Sequence, residues 1–87
     1  MARALVVLGS FLTNAGKHDE AIGVTKEAVD HFRALGQKAD LAWALNNLAY
    51  RNSAAGKAMD AVLAQRESRD LYQEIATTDP THKPTLA

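Results

Sequence analysis

The chain nearly repeats itself at a spacing of 40 residues. Ala4-Leu5-x-x-Leu8 returns as Ala44-Leu45-x-x-Leu48, and Ala15-Gly16-Lys17 returns as Ala55-Gly56-Lys57. Ala21 returns as Ala61, Glu27 as Glu67, Asp30 as Asp70, and Phe32 as its aromatic relative Tyr72. A fixed period in this range marks a repeat array, in which each unit is one supersecondary element with an unfinished core. Function then becomes a matter of surfaces, through binding and assembly.

The periodicity predicts an all-α fold of four helices in two antiparallel hairpins. The first helix spans Ala2 to about Asn14, with Leu5, Leu8, Phe11 and Leu12 recurring at helical steps. Gly16 ends it, since glycine accepts the left-handed geometry of a helix terminus. The second starts near Asp19 as N-cap, carries the stripe Ala21, Ile22, Thr25, Ala28, Val29, Phe32 and Leu35, and closes at Gly36. The third follows Asp40, turns Leu41, Ala44, Leu45, Leu48 and Ala49 inward, and stops before Gly56. The fourth runs from about Met59 to Thr77 with a weaker stripe of Ala61, Val62, Gln65, Ser68, Tyr72 and Ile75. Small residues at Gly9, Ala21 and Ala28, and at Ala49, Ala61 and Ser68, let helix axes approach to about 8–10 Å. Phe32, Tyr72, Leu8 and Leu48 are expected to fill the wedge beside each crossing. All 87 residues form one domain, with units at about 2–40 and 41–79. Residues 80–87 read as a loop, marked by Pro80 and Pro84, and the start of a further unit, since Leu86-Ala87 repeats Leu41-Ala42.

Composition narrows the function classes. Ten basic residues balance ten acidic ones without a basic block, which argues against nucleic acid, because neutralising phosphates needs a concentrated Lys/Arg stripe. Cysteine is absent, so no disulfide and no thiolate ligand is expected. Arg3 followed by Ala4–Leu12 has the outline of a signal peptide, but the same segment aligns with mid-chain residues 42–55, which favours a structural helix. No run reaches the roughly 18–20 apolar residues of a membrane span, and a cytoplasmic location is the default. His18, His31 and His82 lack the i, i+4 pairing of a helical metal site, so neither metal nor cofactor is expected. Asp19-Glu20 and Glu67-x-x-Asp70 sit beside Lys17, Arg66 and Arg69, which reads as a solvated, ion-paired face rather than an acid/base dyad. With no nucleophile pattern and no phosphate cradle, the chain is read as non-catalytic.

Leu5, Leu8, Gly9, Gly16, Ala21 and Ala28, with Phe32 beyond, resemble the tetratricopeptide repeat, as do Leu45, Leu48, Ala49, Gly56, Ala61 and, more weakly, Ser68. The usual period is about 34 residues; the longer spacing here resembles the variant typified by kinesin light chains. Ala-Leu-Asn-Asn-Leu-Ala at 44–49 and the phrase at 78–87 are similar to repeats in large bacterial, especially actinobacterial, signalling proteins. The resemblance implies a right-handed solenoid of stacked hairpins whose first helices line a concave groove that binds a peptide or protein. On this sequence the groove would show Trp43, Asn46, Asn47, Tyr50 and Ser53, joined by Arg3, Val6, Val7, Ser10 and Thr13 of the first helix. Asparagine both donates and accepts, so Asn46 and Asn47 suit an extended peptide's main chain. Trp43 and Tyr50 offer rigid aromatic area, although Trp43 also suits the seam between units. Arg3 is the only cation near this groove, so a clamp for a terminal carboxylate is not expected.

Two other readings stand beside peptide binding. In the first, the open ends, with Val6, Val7 and Phe11 at one and Leu63, Leu71 and Ile75 at the other, are closed by another copy in a homo-oligomer such as a dimer. Two units fall short of the roughly three that a solenoid usually needs for stability. In the second, the chain is a regulatory segment of a larger signalling ATPase or transcription regulator.

Overall fold

A computed structural model of the chain describes residues 2–78. The expected start of a further unit at 80–87 lies outside the described residues. Four helices follow one another: α1 (Ala2–Asn14), α2 (His18–Ala34), α3 (Lys38–Ala54) and α4 (Ala58–Thr78). The described residues contain no strand. The chain is all-α, as its periodicity predicts.

The three turns share one hydrogen-bond pattern. Gly16, Gly36 and Gly56 fall twenty residues apart and take φ of 79°, 67° and 80°, the left-handed region where a Cβ would be strained. After α1, Gly16 N–H donates to Thr13 O at 3.0 Å and Lys17 N–H to Leu12 O at 2.8 Å. This is the paired closure of a Schellman motif. Gly36 and Gln37 close α2 on Arg33 O and Phe32 O, and Gly56 and Lys57 close α3 on Ser53 O and Asn52 O. The residue that completes each closure also opens the next helix: the carbonyls of Lys17, Gln37 and Lys57 accept from Ala21, Leu41 and Ala61 N–H. Asp19 therefore is not the N-cap of α2. Lys17 holds that position without a side-chain cap, and Asp19 lies in the first turn beside Glu20, where negative charge suits the helix dipole.

Burial concentrates on α3, which packs against all three other helices. It buries Leu41, Ala42, Ala44, Leu45, Leu48, Ala49, Arg51 and Asn52, more than one stripe, because it has neighbours on several sides. Val6, Ile22, Val29 and Phe32 complete the core from α1 and α2. The fourth helix contributes less. It buries Ala64 and Ser68, and Ser68 Oγ donates to Ala42 O at 2.7 Å. Leu71 is partly buried against the core, while Val62, Gln65 and Tyr72 are exposed.

Of the expected stripe, Ser68 is buried and Ala61 and Ile75 are half-buried, so the inward face is shifted only in part, and the cause is physical. The corresponding residues of α2, namely Ile22, Thr25 and Phe32, lie in a helix with α1 and α3 packed against it, whereas among the described residues α4 packs closely on α3 and meets α2 at the Arg33–Glu67 pair. Phe32 and Leu48 fill their wedges as expected; Tyr72, 47% exposed, and Leu8, 44% exposed, do not. Ion pairs join the helices at the surface: Arg3–Asp40 at 3.1 Å, Arg33–Glu67 at 2.7 Å and Lys38–Glu74. Glu67 raises the Arg33 pKa by its hydrogen bond, but exposed pairs of this kind contribute only about 0–1 kcal/mol each.

Gly9 is the tightest point of the α1–α2 crossing. A Cβ there would lie 2.6 Å from Thr25 Oγ1 and 2.7 Å from Arg51 Nε. Gly9→Ala should therefore destabilise the fold by about 1–2 kcal/mol, overpacking outweighing the helix-propensity gain of roughly 1 kcal/mol. Urea unfolding followed by circular dichroism measures this; an unchanged or raised midpoint would contradict the close contact.

Candidate protein-binding surfaces

The five candidate residues of α3 separate onto two faces. Trp43 and Asn47 point toward the α1 side. Trp43 is half-buried against the core, with the Arg3 guanidinium 5.5 Å from its ring centroid, a cation–π arrangement. Asn47 Nδ2 donates to Trp43 O at 2.9 Å, and its Oδ1 accepts from Arg51 Nη1 at 3.2 Å. Both ends of that amide are thus engaged inside the helix, which leaves Asn46 as the freer of the two asparagines.

Asn46, Tyr50 and Ser53 are exposed on the other face. With Val62, Gln65 and Arg69 of α4 they line an open groove of roughly 670 Å³. A second concavity, also edged by Asn46, Gln65 and Arg69, extends it past Tyr72 and Gln73. Tyr50, 67% exposed, forms the aromatic part of the wall. Arg66 and Arg69 make the groove cationic, and none of the lining residues is acidic. This groove lies between α3 and α4, whereas the face for which Arg3 is the only expected cation is the one shared by α1 and α3. Arg66 and Arg69 read as part of an outward ion-paired face, because a one-dimensional pattern does not show which side of α4 is left open.

The expected self-association residues are also divided. Val6 is 2% exposed, so it offers no surface, and its carbonyl accepts from Arg51 Nη2 at 2.8 Å. Val7 and Phe11 are exposed, with Leu8 beside them. Leu63 is exposed but edges the cleft between α2 and α4, together with Lys26, Arg33 and Glu67. Leu71 and Ile75 are partly buried. Of the remaining first-helix candidates, Arg3 and Ser10 are exposed, and Thr13 is half-buried with its hydroxyl donating to Gly9 O at 2.9 Å.

Arg51 is the residue that sequence reasoning missed. It is 2% exposed yet has no carboxylate partner among the described residues. Its guanidinium donates to Asn47 O, Asn47 Oδ1 and Val6 O, three neutral acceptors, and its Nε has none. Burial lowers its pKa from the ordinary arginine value, since desolvation disfavours the charged form.

Among the described residues no three His, Asp or Glu side chains gather as a metal site, and no helix is long and apolar enough to cross a membrane. The family model for the tetratricopeptide repeat matches residues 1–74. No curated protein and no solved structure matches the chain significantly.

The bonding around Arg51 separates volume from charge. Arg51→Met should change stability by less than about 1 kcal/mol, because an apolar side chain of similar reach avoids the desolvation cost. Arg51→Ala should lose about 2–4 kcal/mol through the cavity left above Gly9. Equal losses for both, in denaturant titrations, would assign the stabilisation to the guanidinium bonds instead.

Proposed function

The chain belongs to the tetratricopeptide-repeat family, and from that premise we propose that it is a protein-interaction module that holds an acidic segment of a protein in the groove between α3 and α4. Tetratricopeptide repeats generally mediate protein–protein interaction and are generally non-catalytic. Residues 2–40 and 41–79 act as two units of one domain, in the long-period form of the repeat.

The observation that carries this reading is the composition of the groove. Tyr50 supplies a rigid, exposed aromatic surface at its centre. Such side chains lose little entropy on binding and commonly dominate an interface. Asn46 and Gln65 provide donors and acceptors for a main chain, and Ser53 adds a hydroxyl. Arg66 and Arg69 on the opposite wall select for carboxylates. The exposed row Asn46, Tyr50, Ser53 follows helical spacing, so one segment laid along α3 meets all three.

Panning the chain against a random peptide library tests the reading. Recovered peptides should be enriched in Asp and Glu flanking an apolar residue, and their binding should weaken as salt rises. Tyr50→Ala combined with Arg69→Ala should reduce affinity by about tenfold or more. Peptides rich in Lys and Arg, or binders indifferent to these substitutions, would remove the groove from the account.

A further inference from the structure

The described residues contain one joint between units, and that joint specifies what fits the corresponding open groove. The third helix seats on the α1–α2 hairpin and buries Ala44, Leu45 and Leu48. On the hairpin side the seat includes Val6, Gly9, Ile22, Thr25, Val29 and Phe32, all buried. Forty residues on, the α3–α4 hairpin has Asn46, Ala49, Val62, Gln65, Arg69 and Tyr72 at the same positions. All of these except Ala49 are exposed. Among the described residues, the groove described above thus repeats the seat of the finished joint with no helix docked in it.

A helix suited to that seat stands at the other end of the same chain. Ala4, Leu5, Leu8 and Phe11 of α1 occupy the positions of Ala44, Leu45, Leu48 and Arg51 in α3. In α3 these four are buried; in α1, Ala4, Leu8 and Phe11 are exposed and Leu5 is half-buried. The apolar motif that docks in α3 is thus displayed undocked in α1.

We propose that α1 of one copy seats in the α3–α4 groove of a second copy, so that chains stack head to tail and extend the repeat array between molecules. This rests on reading that groove as the binding surface; the occupant it names is the apolar α1, with the acidic residues supplied by the α2 that follows it. Two details of the complementarity support a second copy. The first is steric. In the finished joint Arg51 lies over Gly9, where no methyl fits. In the intermolecular joint Phe11 takes the place of Arg51 and Ala49 that of Gly9, so the shorter, uncharged side chain faces the extra methyl. The Arg51 guanidinium has no counterpart in that joint, and the cation of the seat is Arg69, at the position of Val29.

The second detail is charge. In the finished joint Lys26 and Arg33 of α2 share a cleft with Asp60 and Glu67 of α4, and Arg33 pairs with Glu67. In the intermolecular joint Arg66 stands at the position of Lys26, and neutral Gln73 stands at that of Arg33. The second copy presents Glu20 and Glu27 at the positions of Asp60 and Glu67. Arg66, Glu20 and Glu27 are exposed in the single chain, so Arg66 can pair across the joint. Because the two surfaces differ, the contact is heterologous and does not close at two copies; it adds chains in an open series.

Complementary variants test this directly. Phe11→Asp disables the head and leaves the groove intact. Val62→Asp disables the groove and leaves the head intact. Both positions are exposed, and unchanged circular dichroism and melting will confirm that each variant folds. By light scattering or sedimentation equilibrium, the average mass of the unaltered chain should climb with concentration beyond two chains and fall with added salt. Each variant alone should remain a monomer. The two mixed should give a capped species of one chain each, since one good head meets one good groove.

A monomer at every concentration, a fixed symmetric dimer, or variants that associate like the unaltered chain would each overturn the proposal. The fate of the groove reading is separable. A chain that stays monomeric yet binds an Asp/Glu-rich peptide, with loss on Val62→Asp, refutes stacking and keeps the groove as a binding surface. A chain that neither stacks nor binds such a peptide refutes both.

Discussion

The Arg51 guanidinium, buried between α1 and α3 and bonded only to neutral oxygens, sets the geometry of the molecule. A desolvated ion without a counter-charge costs on the order of several kcal/mol unless its hydrogens are placed. Here the placement uses a backbone carbonyl of α1, at Val6, together with the backbone and side chain of Asn47 one turn below on α3. Those directions fix the depth at which α3 lies on the first hairpin. The same side chain fixes Gly9, whose missing Cβ is the space that Arg51 and Thr25 occupy. Thr25 in turn satisfies its own buried hydroxyl by donating to Ala21 O at 2.7 Å. A charge, a glycine and a back-bonded threonine therefore form one mutually dependent crossing.

From that crossing the asymmetry of the molecule follows. The central helix has partners on several sides, and the outer helices have free faces. Those faces are chemically different: apolar on α1, where Leu8 and Phe11 stand exposed, and cationic with an aromatic centre on the α3–α4 side. A symmetric pairing would set like against like. The two faces are suited to each other and to acidic, partly apolar segments generally, which is the basis for treating the chain as a binding module.

The fold was legible in the sequence because its determinants are local. Helix periodicity and the glycines at 16, 36 and 56 depend on residues within a turn or two of each other, and they located all four helices to within a few residues. Misreadings arose where burial depends on another element. The stripe of α4 continues that of α2 by residue type, but among the described residues Val62, Gln65 and Tyr72 stay exposed, and Ala64 joins the expected Ser68 on the inward side. Val6 looks exposed by family position and is buried by its contact with Arg51. Asn46 and Asn47 are adjacent in the chain yet lie about 100° apart around the helix, so one borders the groove while the other is tied to Trp43 and Arg51. Arg51 carried one weak signal: a long cation within a helix whose inward positions are otherwise apolar, opposite a glycine.

The turns carry a consequence for how such a chain can grow or shrink. Lys17, Gln37 and Lys57 each end one helix and begin the next through the same backbone bonds, and Lys17 and Gln37 do so without a side-chain cap. The pieces between them are accordingly interchangeable at their ends. A gene duplication or excision that cuts at two of these turns rejoins the chain in an unstrained link, with the phase of every helix preserved. A single inserted residue would instead swing the following helix by about 100° and turn its apolar face outward. Whole-unit gain and loss is thus the smooth direction of change for this architecture, and single-residue length change in the links is the abrupt one.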